Sequence, residues 1–236
     1  MKKMLIVILL SLLGVFGCGG GGSSIGGVYG STVVYLVEFI TRSGSNVQSD
    51  IFFLTCSGNR NVPTFQDDVV LVKFKAETIR DALGNPVTQN PSPVFFSRYR
   101  VSFFSGSSTN NCERYSSCRQ LMAGGYEGMV GFTVYPNSPE GSFRRSYTNG
   151  DEVNLELKTG ESIQEVLVLP SGWKSSTLLN YCLTPSDNCI YNGVIEFYGR
   201  ELYSGKEKVV RASFTIQIAD YIKGSPYGSF TDTLCQ

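Results

Sequence analysis

Histidine is absent from all 236 residues. That absence removes Ser-His-Asp and Cys-His catalysis, histidine-ligated zinc and the ordinary histidine pH switch. Net charge is also lacking: twenty Lys plus Arg balance twenty Asp plus Glu. No electrostatic case for nucleic acid or for an anionic membrane surface follows. The charged fraction, 17%, is low for a cytosolic protein and points to an exported one. Long stretches of helical period, Cys-x-x-Cys pairs, two-residue zinc knuckles, EF-hand or nonapeptide calcium patterns and solenoid repeats are all missing.

What is present is the composition of pleated strands joined by tight turns. There are fifteen Phe, thirteen Tyr and twenty-six Gly, with much Val, Ser and Thr. Val210, Ala212, Phe214, Ile216 and Ile218 alternate with Arg211, Ser213, Thr215 and Gln217, which makes one face apolar and one polar. Val153, Leu155 and Leu157 alternate in the same way. Val70, Val72 and Phe74 oppose Lys73 and Lys75, and Phe95, Tyr99, Val101 and Phe103 oppose Arg98, Arg100 and Ser102. Further strands are predicted at 33–40, 50–54, 129–135, 163–169 and 193–198, with Ser204-Gly205 as the turn of a final hairpin. Short helices are predicted near 173–181 and within 112–122. Trp173, the sole tryptophan, is expected in the first of these or as a plug at one end of the fold. The fold class expected is all-β, a disulfide-stapled antiparallel β-sandwich of immunoglobulin-like type, over 32–236. One sandwich or two small ones both fit the length.

The chain opens on the basic start Met1-Lys2-Lys3-Met4, followed by an apolar run from Leu5 to Phe16 that breaks into glycine before reaching the length of a membrane span. Val15-Phe16-Gly17-Cys18 closes the run. This resembles the lipobox of bacterial lipoproteins, with Phe16 bulkier than the usual occupant. The resemblance implies a signal peptide over 1–17, cleavage before Cys18, a diacylglyceryl thioether on its sulfur and commonly a further acyl chain such as palmitate. Covalent lipid on Cys18 is the only prosthetic group expected, and no cofactor or metal is. Residues 18–31, rich in Gly and Ser, form the expected spacer between bilayer and domain. Its nine residues from Gly19 to Gly27 would span roughly 15–18 Å as a random coil. Gly19 stands where, in enteric-type sorting, aspartate favours inner-membrane retention, so the resemblance implies the outer membrane wherever there are two. Stretches such as Arg98-Tyr99-Arg100-Val101, Val194 to Gly199 and Phe214 to Tyr221 resemble the late strands of uncharacterised bacterial β-sandwich lipoproteins, which bring no activity with them.

Six cysteines remain besides Cys18, and an even number in an exported chain reads as three disulfides. Cys112 with Cys118, and Cys182 with Cys189, bracket turn-like stretches and are the expected local pairs. Cys56 with Cys235 is then the remainder and closes the longest loop. Zinc and redox roles are the rival reading of closely spaced cysteines.

No catalytic, cofactor-binding or metal-binding residue is assigned. Carboxylates could run glycoside hydrolysis without histidine, so Asp67, Asp68, Asp151, Glu152, Glu161 and Glu165 are the candidates for an enzyme acting on envelope polysaccharide. Asp187 with Asn188, or Asp67 with Asp68, could offer oxygen to calcium in an adhesin-like module. Arg98, Arg100, Arg144 and Arg145 are the candidates for a basic patch, and Tyr126, Tyr135 and Tyr147 for stacking on sugar rings. The polar stretch 105–125 is the best candidate for a functional loop. The function expected is a non-catalytic, membrane-anchored binding or structural module of the cell envelope, its partner an envelope protein or glycan.

Overall fold

The computed structural model describes residues 32–221 apart from 41–45, 88–89, 108, 147–151, 184 and 188. Alternating apolar residues give each long strand one face to bury, and two sheets bury them against each other. The larger sheet has five strands in the order β2 (Asn46–Asp50), β12 (Glu207–Ala219), β11 (Ile190–Glu201), β6 (Val94–Ser105) and β7 (Tyr126–Val134). The smaller has three, β1 (Thr32–Ile40), β5 (Asp68–Thr78) and β10 (Glu161–Leu169). Two hairpins, β3 (Phe53–Ser57) with β4 (Arg60–Thr64) and β8 (Gly141–Ser146) with β9 (Glu152–Leu157), complete an all-β sandwich. The ladders are antiparallel with one departure: β2 runs parallel to β12.

Phenylalanine rings join the sheets. Phe74 of β5 lies 5.7, 5.1 and 4.9 Å, centroid to centroid, from Phe96, Phe132 and Phe197 of the larger sheet. Burying one such ring contributes roughly 1.5–3 kcal/mol. Val210, Phe214, Ile216 and Ile218 are buried in the alternation expected of β12. The final hairpin also forms as expected, with β11 against β12 through a turn holding Gly205 at φ +70°.

Three expectations needed adjustment. The predicted strand 50–54 is divided, because the chain bends at Ile51 and Phe52 between β2 and β3. β4 and β8 were not foreseen: β4 carries Pro63 and is largely exposed, and β8 lacks a clean apolar alternation. Such edge ribbons take their pairing from a neighbour, not from a buried face.

Strand register defines two poles. Along β6, Val94 pairs with Glu201 at one end and Ser105 with Tyr191 at the other, roughly 36 Å away at the usual rise per residue. β1 starts at the first pole, where the Thr32 amide donates to Glu201 Oε1 at 3.0 Å and the Thr32 hydroxyl to the Ser92 carbonyl at 2.6 Å. The second pole receives the ends of β2, β6, β10 and β12 and the starts of β5, β7 and β11.

Candidate functional site: the stapled cap at one pole

Nearly all the irregular chain that is pinned by cysteine gathers at the second pole. One segment runs from Gly106 to Gly125 and contains helix α1 (Ser116–Gly124). The other runs from Pro170 to Cys189, with helix α2 (Ser171–Ser176) and two single 3-10 turns. α1 ends at Gly125, whose φ is +57°, and a Cβ there would sit 2.2 Å from the Val101 carbonyl oxygen. Only glycine can turn the chain from α1 into β7 at that distance.

Both local disulfides form as expected, Cys112–Cys118 with Cα atoms 5.2 Å apart and Cys182–Cys189 with 5.6 Å. All four residues are buried. The structure also brings the two bridges together: the sulfurs of Cys112, Cys118 and Cys182 lie within 4.8 Å of one another. Sulfurs committed to disulfides are not thiolates, so this cluster is a covalent core and not a preformed ligand set. The other expected bridge, Cys56 with Cys235, has its second member outside the described residues, as does Cys18.

Hydrogen bonds sew the two segments into one cap. The Asn111 amide donates to the Asp187 carbonyl at 3.0 Å and its side chain to the Tyr181 carbonyl at 2.8 Å. Asn110 reaches the Ile190 carbonyl at 3.1 Å. On the outside, the rings of Tyr115 and Tyr181 stack at 4.3 Å, and Tyr115 is 46% exposed. Trp173 plugs the interior, 6.2 Å from Phe103 and 5.6 Å from Tyr126.

α2 also buries a lysine. Lys174 Nζ lies 2.7 Å from Asp68 Oδ1 and 2.7 Å from the Asp50 carbonyl. Burial pushes the Asp68 carboxyl above its ordinary range, against the opposing pull of the Lys174 ammonium. Next door, Asp67 accepts the Ser171 amide at 2.7 Å and so steadies the start of α2.

Among the described residues, the carboxylates considered for hydrolysis are each engaged by their own neighbours. Asp68 and Glu161 lie at opposite ends of the β5–β10 ladder, facing Leu169 and Lys75 respectively. Glu161 accepts the Lys158 amide, Glu152 pairs with Arg144 at 2.8 Å, and Glu165 pairs with Arg145. Asp151 lies outside the described residues. Of the calcium candidates, Asp187 sits in the cap with its carbonyl bonded to Asn111, and Asn188 is outside the described residues. The arginines divide into two pairs: on one face of β6, Arg98 covers the Tyr198 ring at 4.5 Å and Arg100 pairs across to Glu196 and Glu127, while Arg144 and Arg145 lie on β8. Tyr126 is turned inward, its hydroxyl donating to the Leu167 carbonyl, and burial raises its pKa. Tyr135 is 52% exposed, and Tyr147 is outside the described residues.

Sequence reasoning reached the segments of the cap but not its contacts. Lys174 follows Trp173 in a stretch whose helical turn is too short to show a face, and nothing local marks its partner 106 residues earlier. Tyr115 and Tyr181 carry no signal beyond lying next to cysteines.

No protein-family model and no curated protein matches the chain. Among the described residues no helix is long and apolar enough to cross a membrane.

Proposed function

We propose that this chain is a lipid-anchored module of the cell envelope that holds its disulfide-stapled cap away from the membrane as a non-catalytic contact surface. The observation that carries the reading is polarity. The segment bearing Cys18 joins the domain at Thr32, and the cap lies at the opposite end of the strands. A lipid on Cys18, with residues 18–31 as spacer, would set the first pole toward the bilayer and the cap outward. Loops presented by a rigid sheet scaffold are the usual place for recognition, and here they are fixed by two disulfides and a stacked tyrosine pair. An envelope protein or glycan is the partner class that suits such a face.

The test compares wild type with Cys18→Ala by membrane fractionation and intact mass in an expressing bacterium. The expected result is a membrane-bound wild type that starts at Cys18 and carries acyl mass, with the variant released from the membrane fraction. A soluble, unacylated wild type would overturn the anchor and, with it, the outward orientation of the cap.

A further inference from the structure

We propose that Lys174 and Asp68 condense to an intramolecular amide, a covalent cross-link between the first residue of β5 and helix α2. The two functional groups are already placed as reactants, with Nζ 2.7 Å from Oδ1. The Lys174 side chain is 3% exposed, and the Asp50 carbonyl holds Nζ from a second direction at 2.7 Å. The other carboxyl oxygen, Asp68 Oδ2, is buried without a well-formed hydrogen bond, and its neighbour, the Ser49 hydroxyl, stabilises the carboxylate only in part. Trp173 and the inward-turned Tyr126 pack against the core at this pole.

Two physical effects favour the bond. Fixing an amine against a carboxyl replaces a bimolecular encounter by a unimolecular one, with effective molarities of about 10⁵–10⁸ M in well-oriented systems. A neutral amide also removes two charges from a largely dry site, where Lys174 is 3% and Asp68 18% exposed, and desolvation there is repaid by an ion pair only with full hydrogen bonding. Asp68 lacks that full set. Burial raises its carboxyl toward the neutral acid, the form that can be attacked.

The step balances within the pair. One ammonium proton of Lys174 passes to the Asp68 carboxylate, leaving a free amine and a carboxylic acid. The amine lone pair forms the bond to Cγ, the C–O bond to one carboxyl oxygen breaks, and that oxygen leaves with the acid proton and a second proton from nitrogen as water. No oxidant, reductant or co-reactant takes part. The neighbouring group placed to relay those protons is the Ser49 hydroxyl.

The experiment is a reduced and alkylated tryptic map of the purified full chain, with intact mass alongside. An amide would block cleavage after Lys174, so the expected product is a branched species joining residues 61–73 to residues 159–200, lighter than the two peptides together by one water. Lys174→Arg and Asp68→Ala should each abolish the branched species and restore the water. Separate, full-mass peptides containing Asp68 and ending at Lys174 in the wild type would overturn the proposal. So would a water loss that persists in Lys174→Arg, which would mark a cyclised aspartyl backbone instead. The wild-type map decides the matter even if neither variant folds, and it is independent of processing at Cys18.

Discussion

Two carboxylates, Glu201 fully buried at the first pole and Asp68 with 18% of its side chain exposed at the second, face the same problem and meet it differently. Glu201, with no exposed side-chain surface, accepts from the Thr32 amide, the Ser204 hydroxyl and Lys208 Nζ at 2.9 Å. Burial alone would raise its pKa, but the hydrogen bonds from Ser204, Lys208 and Thr32 outweigh it and hold the carboxyl below its ordinary range. Asp68 has one lysine contact, with only the Ser49 hydroxyl beside a second oxygen that lacks a well-formed hydrogen bond, and burial wins. Charge in the interior is stable when every lone pair is taken. By that measure Glu201 is a finished anchor for the start of β1, whereas Asp68 is a group with something left to do.

The sharpest break in this comparison is Glu201→Ala. It removes the partner of Lys208, whose side chain is 24% exposed, and leaves the buried Thr32 amide without its acceptor, a loss of roughly 1–3 kcal/mol. Urea denaturation should show that loss, and a loss below about 1 kcal/mol would mean that water replaces the carboxylate and that the pole is not dry. The pH dependence carries a sign. A folded pKa below the unfolded one gives stability that is present above the ordinary carboxylate range and lost as pH falls through the folded value. Glu201→Gln should therefore flatten part of the acid limb. Asp68 has the opposite sign, since a raised folded pKa gives stability that is lost as pH rises through it. A cross-linked Asp68 would contribute neither way.

The cap rests on covalent bonds where the other pole, among the described residues, rests on hydrogen bonds. With sequence separations of 6 and 7, each bridge stabilises by about 2.5 kcal/mol in the chain-entropy model. Because sulfurs of the two bridges lie within 4.8 Å of one another, the two effects should not add. Reduction under native conditions should speed amide hydrogen exchange across 110–124 and 178–189 while the Thr32 and Glu201 amides stay protected. Equal loss of protection at both poles would show that the sandwich opens as one unit, and the cap would then not be a separate structural region.

How much of this could be read beforehand follows the range of each interaction. Strand β12 was legible because its alternation is local and uninterrupted, and the pairs Cys112–Cys118 and Cys182–Cys189 because their partners are near in sequence. β4 and β8 left no mark, since their pairing depends on a neighbouring strand. The contact between the two disulfides, the Tyr115–Tyr181 stack and the Lys174–Asp68 pair join residues far apart in the chain, and their geometry exists only once the sheets are assembled. The surroundings of the candidate carboxylates could not be read, because neighbouring acids point to opposite faces of a strand and each is absorbed by donors that only the assembled sheets bring near.

Exposure sets the last contrast. On the outer face of the larger sheet, Glu127, Arg100, Glu196 and Arg211 form a row across four strands. Arg98 adds a cation over Tyr198 and a 3.8 Å contact with Glu127. The Tyr198 hydroxyl donates to Glu196 Oε2 at 2.6 Å and, with Arg211, holds that carboxyl below its usual range. This network has more members than either buried pair, yet the Arg98 side chain is 51% exposed, and water screens what it contributes. Arg98→Ala should cost only about 0.5–1 kcal/mol, the worth of an exposed cation–π contact, and should shift Tm less than Glu201→Ala. A loss as large as that of Glu201→Ala would mean that the outer face is covered in the native protein, because only desolvation could raise the value of these charges to that of the poles.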